Sequence, residues 1–142
     1  MKIELEILLP VYNEVRYIGK LLKGIDSAIK KKIKYRFLIC EDGSTDGTKE
    51  LLKKIKKKYN IKLITKEKRK GFSRAVQDGI KNANADYLLM MDSDGQCDFK
   101  NILKLWKFRK EFDLVNAHRV KRIDYAYRKI FSTLCYFFYQ IL

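Results

Sequence analysis

The sequence has one proline, three cysteines and no stretch dominated by Gly, Ser, Gln or Pro. Such stretches build disordered chains, so this one, with 46% hydrophobic residues, falls among globular proteins. Cys40, Cys97 and Cys135 lack CxxC spacing and cannot all pair with one another. That excludes a disulfide framework and a zinc site, and points to a reducing compartment. No apolar run reaches the roughly 18 residues of a membrane span. The nearest approach, Ile130 to Leu142, is apolar and aromatic but too short. Met1 to Leu9 mixes Glu4 and Glu6 with apolar residues and does not look like a signal peptide. A cytoplasmic chain is expected, at most seated on the cytoplasmic face of a membrane.

What is abundant is positive charge. The formal net charge is +15 over 142 residues, concentrated between Lys30 and Lys34, Lys53 and Lys58, and Lys66 and Lys70. Such a balance favours anionic partners in general, although most such runs are solvated helix faces or loops. A nucleic-acid partner is not expected: no helix-turn-helix or RNA-binding motif is present, and the basic residues spread over several helices instead of forming one stripe.

The length suits one domain with a real core. Short apolar runs alternate with helical patterns, the signature of repeated βα units and a mostly parallel sheet. Strands are expected at Glu4–Leu9, Arg36–Cys40, Ile61–Thr65, Asp86–Met91 and Asp113–Asn116. The first intervening helix places Ile18, Leu21, Leu22, Ile25, Ala28 and Ile29 on one stripe, and the third does so with Phe72, Ala75, Val76, Gly79, Ile80 and Ala83. These stripes are core. Leu51, Leu52 and Ile55 give the second helix a narrower face, and Ile102, Leu103, Leu105 and Trp106 give the fourth a broad one. Pro10 falls at the end of the first strand, where a missing N–H is tolerated.

In an open parallel sheet, ligands bind beyond the carboxyl ends of the strands, where the loops converge. Five polar loops belong there: Pro10–Glu14, Glu41–Thr48, Lys66–Gly71, Asp92–Gln96 and His118–Arg122. Asp92-Ser93-Asp94 sets two carboxylates at alternate positions just past an apolar strand, where both can turn toward one cation. Mg²⁺ or Mn²⁺ binds through one or two carboxylates plus substrate phosphates, and Gln96 can add a carbonyl oxygen. The same loop also reads as a capping turn with Asp98 as N-cap, which is compatible with metal binding by Asp92 and Asp94. A calcium loop starting at Asp42 fails at its twelfth position, Lys53, and one starting at Asp92 fails at Leu103. In Glu41–Thr48 the glycines permit close backbone approach, Asp46 can cap the following helix, and Asp42 points into the rim. There it can accept hydrogen bonds from a ribose hydroxyl or a base N–H.

Four segments in register carry a specific resemblance: Leu9-Pro10-Val11-Tyr12-Asn13-Glu14, Glu41-Asp42-Gly43-Ser44-Thr45-Asp46-Gly47-Thr48, Gly71-Phe72-Ser73-Arg74-Ala75 and Asp92-Ser93-Asp94-Gly95-Gln96. From about Ile3 to Arg122 the sequence resembles family 2 glycosyltransferases of the GT-A fold, and within them the polyprenyl-phosphate glycosyltransferases that include dolichyl-phosphate mannose synthases. The resemblance implies a metal-dependent, inverting transfer of a sugar from a nucleotide diphosphate-sugar to an acceptor such as a polyprenyl phosphate. It implies that Pro10, Tyr12, Glu14, Asp42 and Ser93 hold the donor. Asp92 and Asp94 would bind Mg²⁺ or Mn²⁺ at the diphosphate, Gln96 would complete the metal shell, and Arg119 would meet phosphate. Arg119 also reads as one of several solvated cations in its loop.

The resemblance further implies a nucleotide-sugar-binding domain over residues 1–122. Residues 123–142 then form an apolar, aromatic helix that starts an acceptor or membrane-facing region. Arg122, Arg128 and Lys129 precede that apolar stretch and suit lipid phosphates. Relatives continue with acceptor-binding elements beyond the position of Leu142, so the chain is expected to be truncated. A non-catalytic domain of the same fold, binding a nucleotide or a partner, is the competing reading.

Overall fold

The computed structural model describes residues 2–95 and 98–117. Four strands, β1 (Leu5–Val11), β2 (Tyr35–Glu41), β3 (Ile61–Thr65) and β4 (Tyr87–Met90), form a wholly parallel sheet in the order β3-β2-β1-β4. Helices α1 (Ile18–Ile29), α2 (Thr48–Ile55) and α3 (Phe72–Asn82) connect them, and a 3-10 turn, Phe99–Asn101, leads into α4 (Ile102–Lys107). Parallel strands need such crossovers, and the crossovers put helices on the two faces of the sheet.

β1 is central and buried along its whole length. Its odd-numbered side chains Ile7, Leu9 and Val11 join Phe37 and Ile39 of β2 against Ile18, Leu21, Leu22, Ile25 and Ile29 of α1, with Leu52 and Ile102 at the edges. The opposite face is thinner: Leu8, Leu38 and Cys40 meet Ala75 of α3. There α3 approaches so closely that a Cβ on Gly79 would overlap the Leu8 side chain.

Pro10 lies inside the central strand, and the register explains why it is tolerated. β1 pairs with β2 as far as Val11 but with β4 only as far as Leu8↔Met90. The N–H that Pro10 lacks belongs on the β4 side, where the ladder has already ended. Its carbonyl, on that same side, accepts the Ser93 hydroxyl at 2.8 Å.

Two expectations need correction. No strand forms at Asp113–Asn116: the chain there is irregular and Leu114 is 85% exposed. A short apolar run becomes a strand only where a partner edge satisfies its backbone, and among the described residues nothing pairs with it. The α3 stripe is core only in part, since Ala75 and Gly79 are buried while Phe72 and Ile80 are 56% and 55% exposed. Among the described residues α3 packs on this face against β1 and β2, and Leu88 and Met90 of β4 are exposed as well. Among the described residues no helix is long and apolar enough to cross a membrane.

Candidate functional site

The carboxyl ends of β1, β2 and β4 open onto one cleft of about 250 Å³, lined among others by Tyr12, Glu14, Asp42, Arg69, Asp92 and Asp94. It is held open by hydrogen bonds between the first two rim loops. Asn13, in the left-handed region at φ 56°, receives the Thr45 N–H on Oδ1 at 2.9 Å and donates its own N–H to Ser44 Oγ at 3.0 Å. The Glu14 N–H donates to Thr48 Oγ1 at 2.9 Å, and the Val15 N–H donates to Asp46 Oδ2 at 3.1 Å. The N-cap of α2 is Gly47 and not Asp46 as its position suggested, but Asp46 Oδ1, one residue earlier, accepts the N–H of Thr48 at 3.0 Å and so satisfies the first N–H of the helix. Tyr12 and Glu14 are thereby set on a braced turn rather than a loose one.

Asp42 is buried, and its N–H donates to the Val11 carbonyl at 2.9 Å. Its two carboxylate oxygens accept the backbone N–H groups of Lys70 and Gly71 at 2.9 and 2.7 Å. The Lys66 ammonium stands 4.0 Å away and pairs with Asp78 at 2.5 Å. Asp42 therefore lines the cleft and also fastens the third rim loop to the second.

Past β4, Ser93 turns inward to Pro10 and is buried, which leaves Asp92 and Asp94 half-buried on the cleft side. The hydroxyl proton of Ser93 is committed to that brace, so Ser93 fixes the acidic loop against β1. Asp98 accepts the Lys100 N–H at 3.0 Å and caps the turn that follows, as expected alongside the acidic pair. Gln96 and Arg119 lie outside the described residues, as do the loop 118–122 and the segment 123–142.

Glu14 registers the charge gathered here. Burial and the neighbouring carboxylates of Asp94 and Asp46 hold its carboxyl above the usual range. Among the described residues no three His, Cys, Asp or Glu side chains are arranged to hold a metal by themselves. Mg²⁺ and Mn²⁺ do not require such a cage: one or two carboxylates suffice when water and phosphate oxygens fill the shell. Asp92 and Asp94, in a cleft with surplus negative charge and one open side, fit that requirement.

Sequence reasoning missed two features. Glu6 is buried in β1, where it accepts from Arg36 at 2.6 Å and from the Asn84 N–H at 2.6 Å, tying β1 to the chain that leads into β4. Arg69 reads as one cation in a basic run, yet its guanidinium lies over the Tyr12 ring, 4.2 Å from the centroid. Its place two residues before Gly71, at the end of a rim loop, was the available signal.

Comparisons with known proteins place this geometry. S. aureus TarS is 23% identical, with a TM-score of 0.66 over 84% of this chain and 23% of that one. Mannosyltransferase PcManGT from Pyrobaculum calidifontis, solved with GDP-Man and Mn²⁺, is 21% identical, with a TM-score of 0.58 over 66% of this chain and 28% of that one. These likenesses establish the GT-A fold. In sequence, the chain is 34% identical over 93 residues to a dolichol-phosphate mannosyltransferase of Pyrococcus furiosus, covering 66% of this chain and 26% of that protein. It is 30% identical over 131 residues to a dolichyl-phosphate beta-glucosyltransferase of Dictyostelium discoideum, covering 86% and 38%. The chain thus spans roughly a quarter to two-fifths of the length of these two relatives. Residues 6–140 match the family described as Glycosyl transferase family 2, and on that match over almost its whole length the chain belongs to glycosyltransferase family 2.

Proposed function

We propose that this domain binds a nucleotide diphosphate-sugar together with Mg²⁺ or Mn²⁺, for inverting transfer of the sugar to an acceptor such as a polyprenyl phosphate. The observation that carries the reading is the gathering of Tyr12, Glu14, Asp42, Asp92 and Asp94, from three strand ends, around one cleft. Two neighbours in fold support the donor class, one solved with GDP-Man and Mn²⁺ and one with UDP-GlcNAc. The relatives named for dolichyl phosphate support the acceptor class.

In this reading Pro10, Tyr12, Glu14 and Asp42 hold the nucleoside, and Ser93 fixes the loop that carries Asp92 and Asp94. Those two carboxylates would hold the cation, with Gln96 completing the shell and Arg119 meeting phosphate. The chemistry such an ion supplies when bound is neutralisation of charge on the departing diphosphate. Inversion follows when the acceptor oxygen attacks the sugar carbon from the side opposite that leaving group. A phosphate acceptor is already ionised and needs no strong base, whereas a hydroxyl acceptor needs a carboxylate to take its proton. Residues 123–142 would rest against the cytoplasmic face of a membrane, near a lipid acceptor; co-sedimentation with anionic vesicles tests that contact.

The decisive experiment is a thermal-shift series with UDP- and GDP-sugars, with and without Mn²⁺. A rise in melting temperature that is larger with Mn²⁺ is expected. Equal shifts with and without the ion would remove the metal from the reading, and no shift with any nucleotide-sugar would remove the donor.

A further inference from the structure

The first two basic runs are separate in sequence and meet in the fold. Lys30 to Lys34 spans the turn from α1 to β2, Lys53 to Lys58 ends α2 and leads toward β3, and β2 and β3 are neighbours in the sheet. Asn60, at φ 45°, fastens the second turn to the start of β2: its side-chain NH₂ donates to the Tyr35 carbonyl at 3.2 Å, and its own carbonyl accepts the Phe37 N–H at 3.2 Å. Ile33 is buried, and Ile55 and Tyr59 pack against the core. The four lysines of the first run and the five of the second are all exposed. Since the strands are parallel and all begin at one end, this surface lies at the end of the sheet opposite the cleft.

Asp26 is the carboxylate that reaches both turns. It accepts the Tyr35 hydroxyl at 2.7 Å and pairs with Lys30 at 3.1 Å. Burial pushes its carboxyl up, but Tyr35, Lys30 and Lys58 outweigh burial and hold it below the usual range. Glu4 accepts the Lys34 N–H at 3.3 Å from the margin. Two carboxylates offset only a minor part of the charge of the two runs. The helix dipole favours cations in the last turn of a helix, which accounts for Lys53 and Lys54 in α2, but it fades within that turn. Lys31, Lys32, Lys34, Lys57 and Lys58 lie beyond the helix ends, where crowding of like charges costs stability and the fold gains nothing from it.

The chemistry of this surface selects among anionic partners. Among the described residues no exposed large apolar side chain lies on either turn, so a lipid surface would meet charge without an anchor and would leave the cleft facing away from it. Single-stranded nucleic acid needs open aromatic faces. Tyr35 and Tyr59 are half-buried, and Lys58 lies over the Tyr59 ring, 5.2 Å from its centroid. Nucleic-acid phosphates favour the arginine fork, yet Arg36, at the start of β2, is bound to the buried Glu6 at 2.6 Å. Lysines are point charges on flexible stems and suit carboxylates carried on a chain that can adapt to them. We propose that the amino end of the sheet is a docking surface for an acidic segment of a partner protein, whose Asp and Glu side chains engage the turns at Lys30 to Lys34 and Lys53 to Lys58 together. The segment bridges the two turns, relieves their mutual repulsion and leaves the cleft at the other end open.

The test is fluorescence anisotropy of a labelled oligoglutamate against the wild type and two triple variants. One variant removes charge from both turns, Lys31→Gln with Lys32→Gln and Lys57→Gln. The other removes the same charge elsewhere, Lys104→Gln with Lys107→Gln and Lys110→Gln, so net charge is matched. All six lysines are exposed, and both variants should melt like the wild type. The wild type should bind oligoglutamate, more weakly as salt is raised. The turn variant should bind about tenfold more weakly, the sum expected of three exposed charge pairs, and the control should stay within about twofold of the wild type. Absence of wild-type binding overturns the proposal, as does an equal loss in both variants, which would make the attraction a matter of net charge alone. Unlabelled duplex RNA and anionic vesicles serve as competitors at matched charge. If either displaces oligoglutamate from the wild type at lower concentration than unlabelled oligoglutamate does, the surface belongs to that partner and not to an acidic protein.

Discussion

Asp42 Oδ2 accepts the backbone N–H of Gly71 at 2.7 Å, across 29 residues of sequence. With the Lys70 N–H on Oδ1, the carboxylate uses one lone pair on each oxygen to close the third rim loop onto the second. A carboxylate offers about four acceptor sites in all. Two remain for a ligand, so the structural and the ligand-facing roles of Asp42 coexist on one side chain.

Asp42→Asn tests the structural half. Asparagine keeps one carbonyl oxygen and turns an NH₂ group toward one of the two N–H donors, leaving that partly buried donor without its acceptor. Hydrogen bonds to charged groups contribute about 1.5–3 kcal/mol, so a loss of about 1–3 kcal/mol is expected in urea denaturation. Amide exchange at Lys70 and Gly71 should accelerate more than in α1. An unchanged midpoint would mean that the loop holds its place without Asp42.

Glu6 gives a pH dependence whose sign is fixed by its partners. Burial pushes its carboxyl up, but the Asn84 N–H, the Arg36 guanidinium and the Ala85 N–H outweigh burial and hold it below the usual range. A group depressed in the folded state contributes stability above its unfolded pKa of about 4.3, and loses it as pH falls through the folded value. Glu6→Gln should therefore be less stable than the wild type at pH 7, by about 1–3 kcal/mol. The gap should narrow steadily below about pH 4.3. A gap independent of pH from 7 to 3 would show that the ionised carboxylate is not what the interaction uses.

These two residues mark where the sequence is legible and where it is not. Periodicity located β1 to β4 and the α1 stripe because local spacing decides which side chains face the sheet, as Ile18, Leu22 and Ile25 do. The rim followed from topology, since every βα loop of a parallel sheet leaves from the same end. What spacing does not carry is pairing across the chain: Glu6 with Asn84, Asp42 with Gly71, Arg69 with Tyr12. A glutamate in an alternating strand reads as a solvent-facing residue until the chain entering β4 arrives over it. The expected strand at Asp113–Asn116 failed for a related reason, because its composition suits a strand while the partner edge is a property of the whole sheet.

Cys40 offers a probe of β2. Burial, together with Asp78, pushes its thiol up to about 11. The thiolate is the reactive form, and a free cysteine ionises near pH 8.5. Alkylation of Cys40 by iodoacetamide at pH 8, mapped by peptide mass spectrometry, should run at least on the order of a hundredfold slower in the native protein than in urea. Rapid native labelling of Cys40 would indicate that β2 opens readily, contrary to its burial between α3 and the neighbouring strands.

Asp94→Asn separates the cation from the rest of the proposed donor site. Asp94 is half-buried on the rim and supports no core packing, so the melting temperature of the unliganded protein should barely move. Binding of a nucleoside diphosphate in Mn²⁺ should weaken by about tenfold or more, because the site keeps one carboxylate where the ion would have two and affinity for a hard divalent ion falls with ligand charge. Without the ion, wild type and variant should bind alike, or the variant slightly better, since removing a carboxylate reduces repulsion toward the diphosphate. Asp42→Ala makes the contrasting case: its loss should persist in EDTA, because it concerns the nucleoside and the loop that carries Arg69. Calorimetry of both variants, each with Mn²⁺ and with EDTA, therefore gives a crossed pattern. If the Asp94→Asn loss were the same in EDTA as in Mn²⁺, Asp94 would be contacting the nucleotide directly and the cation would have to be held elsewhere.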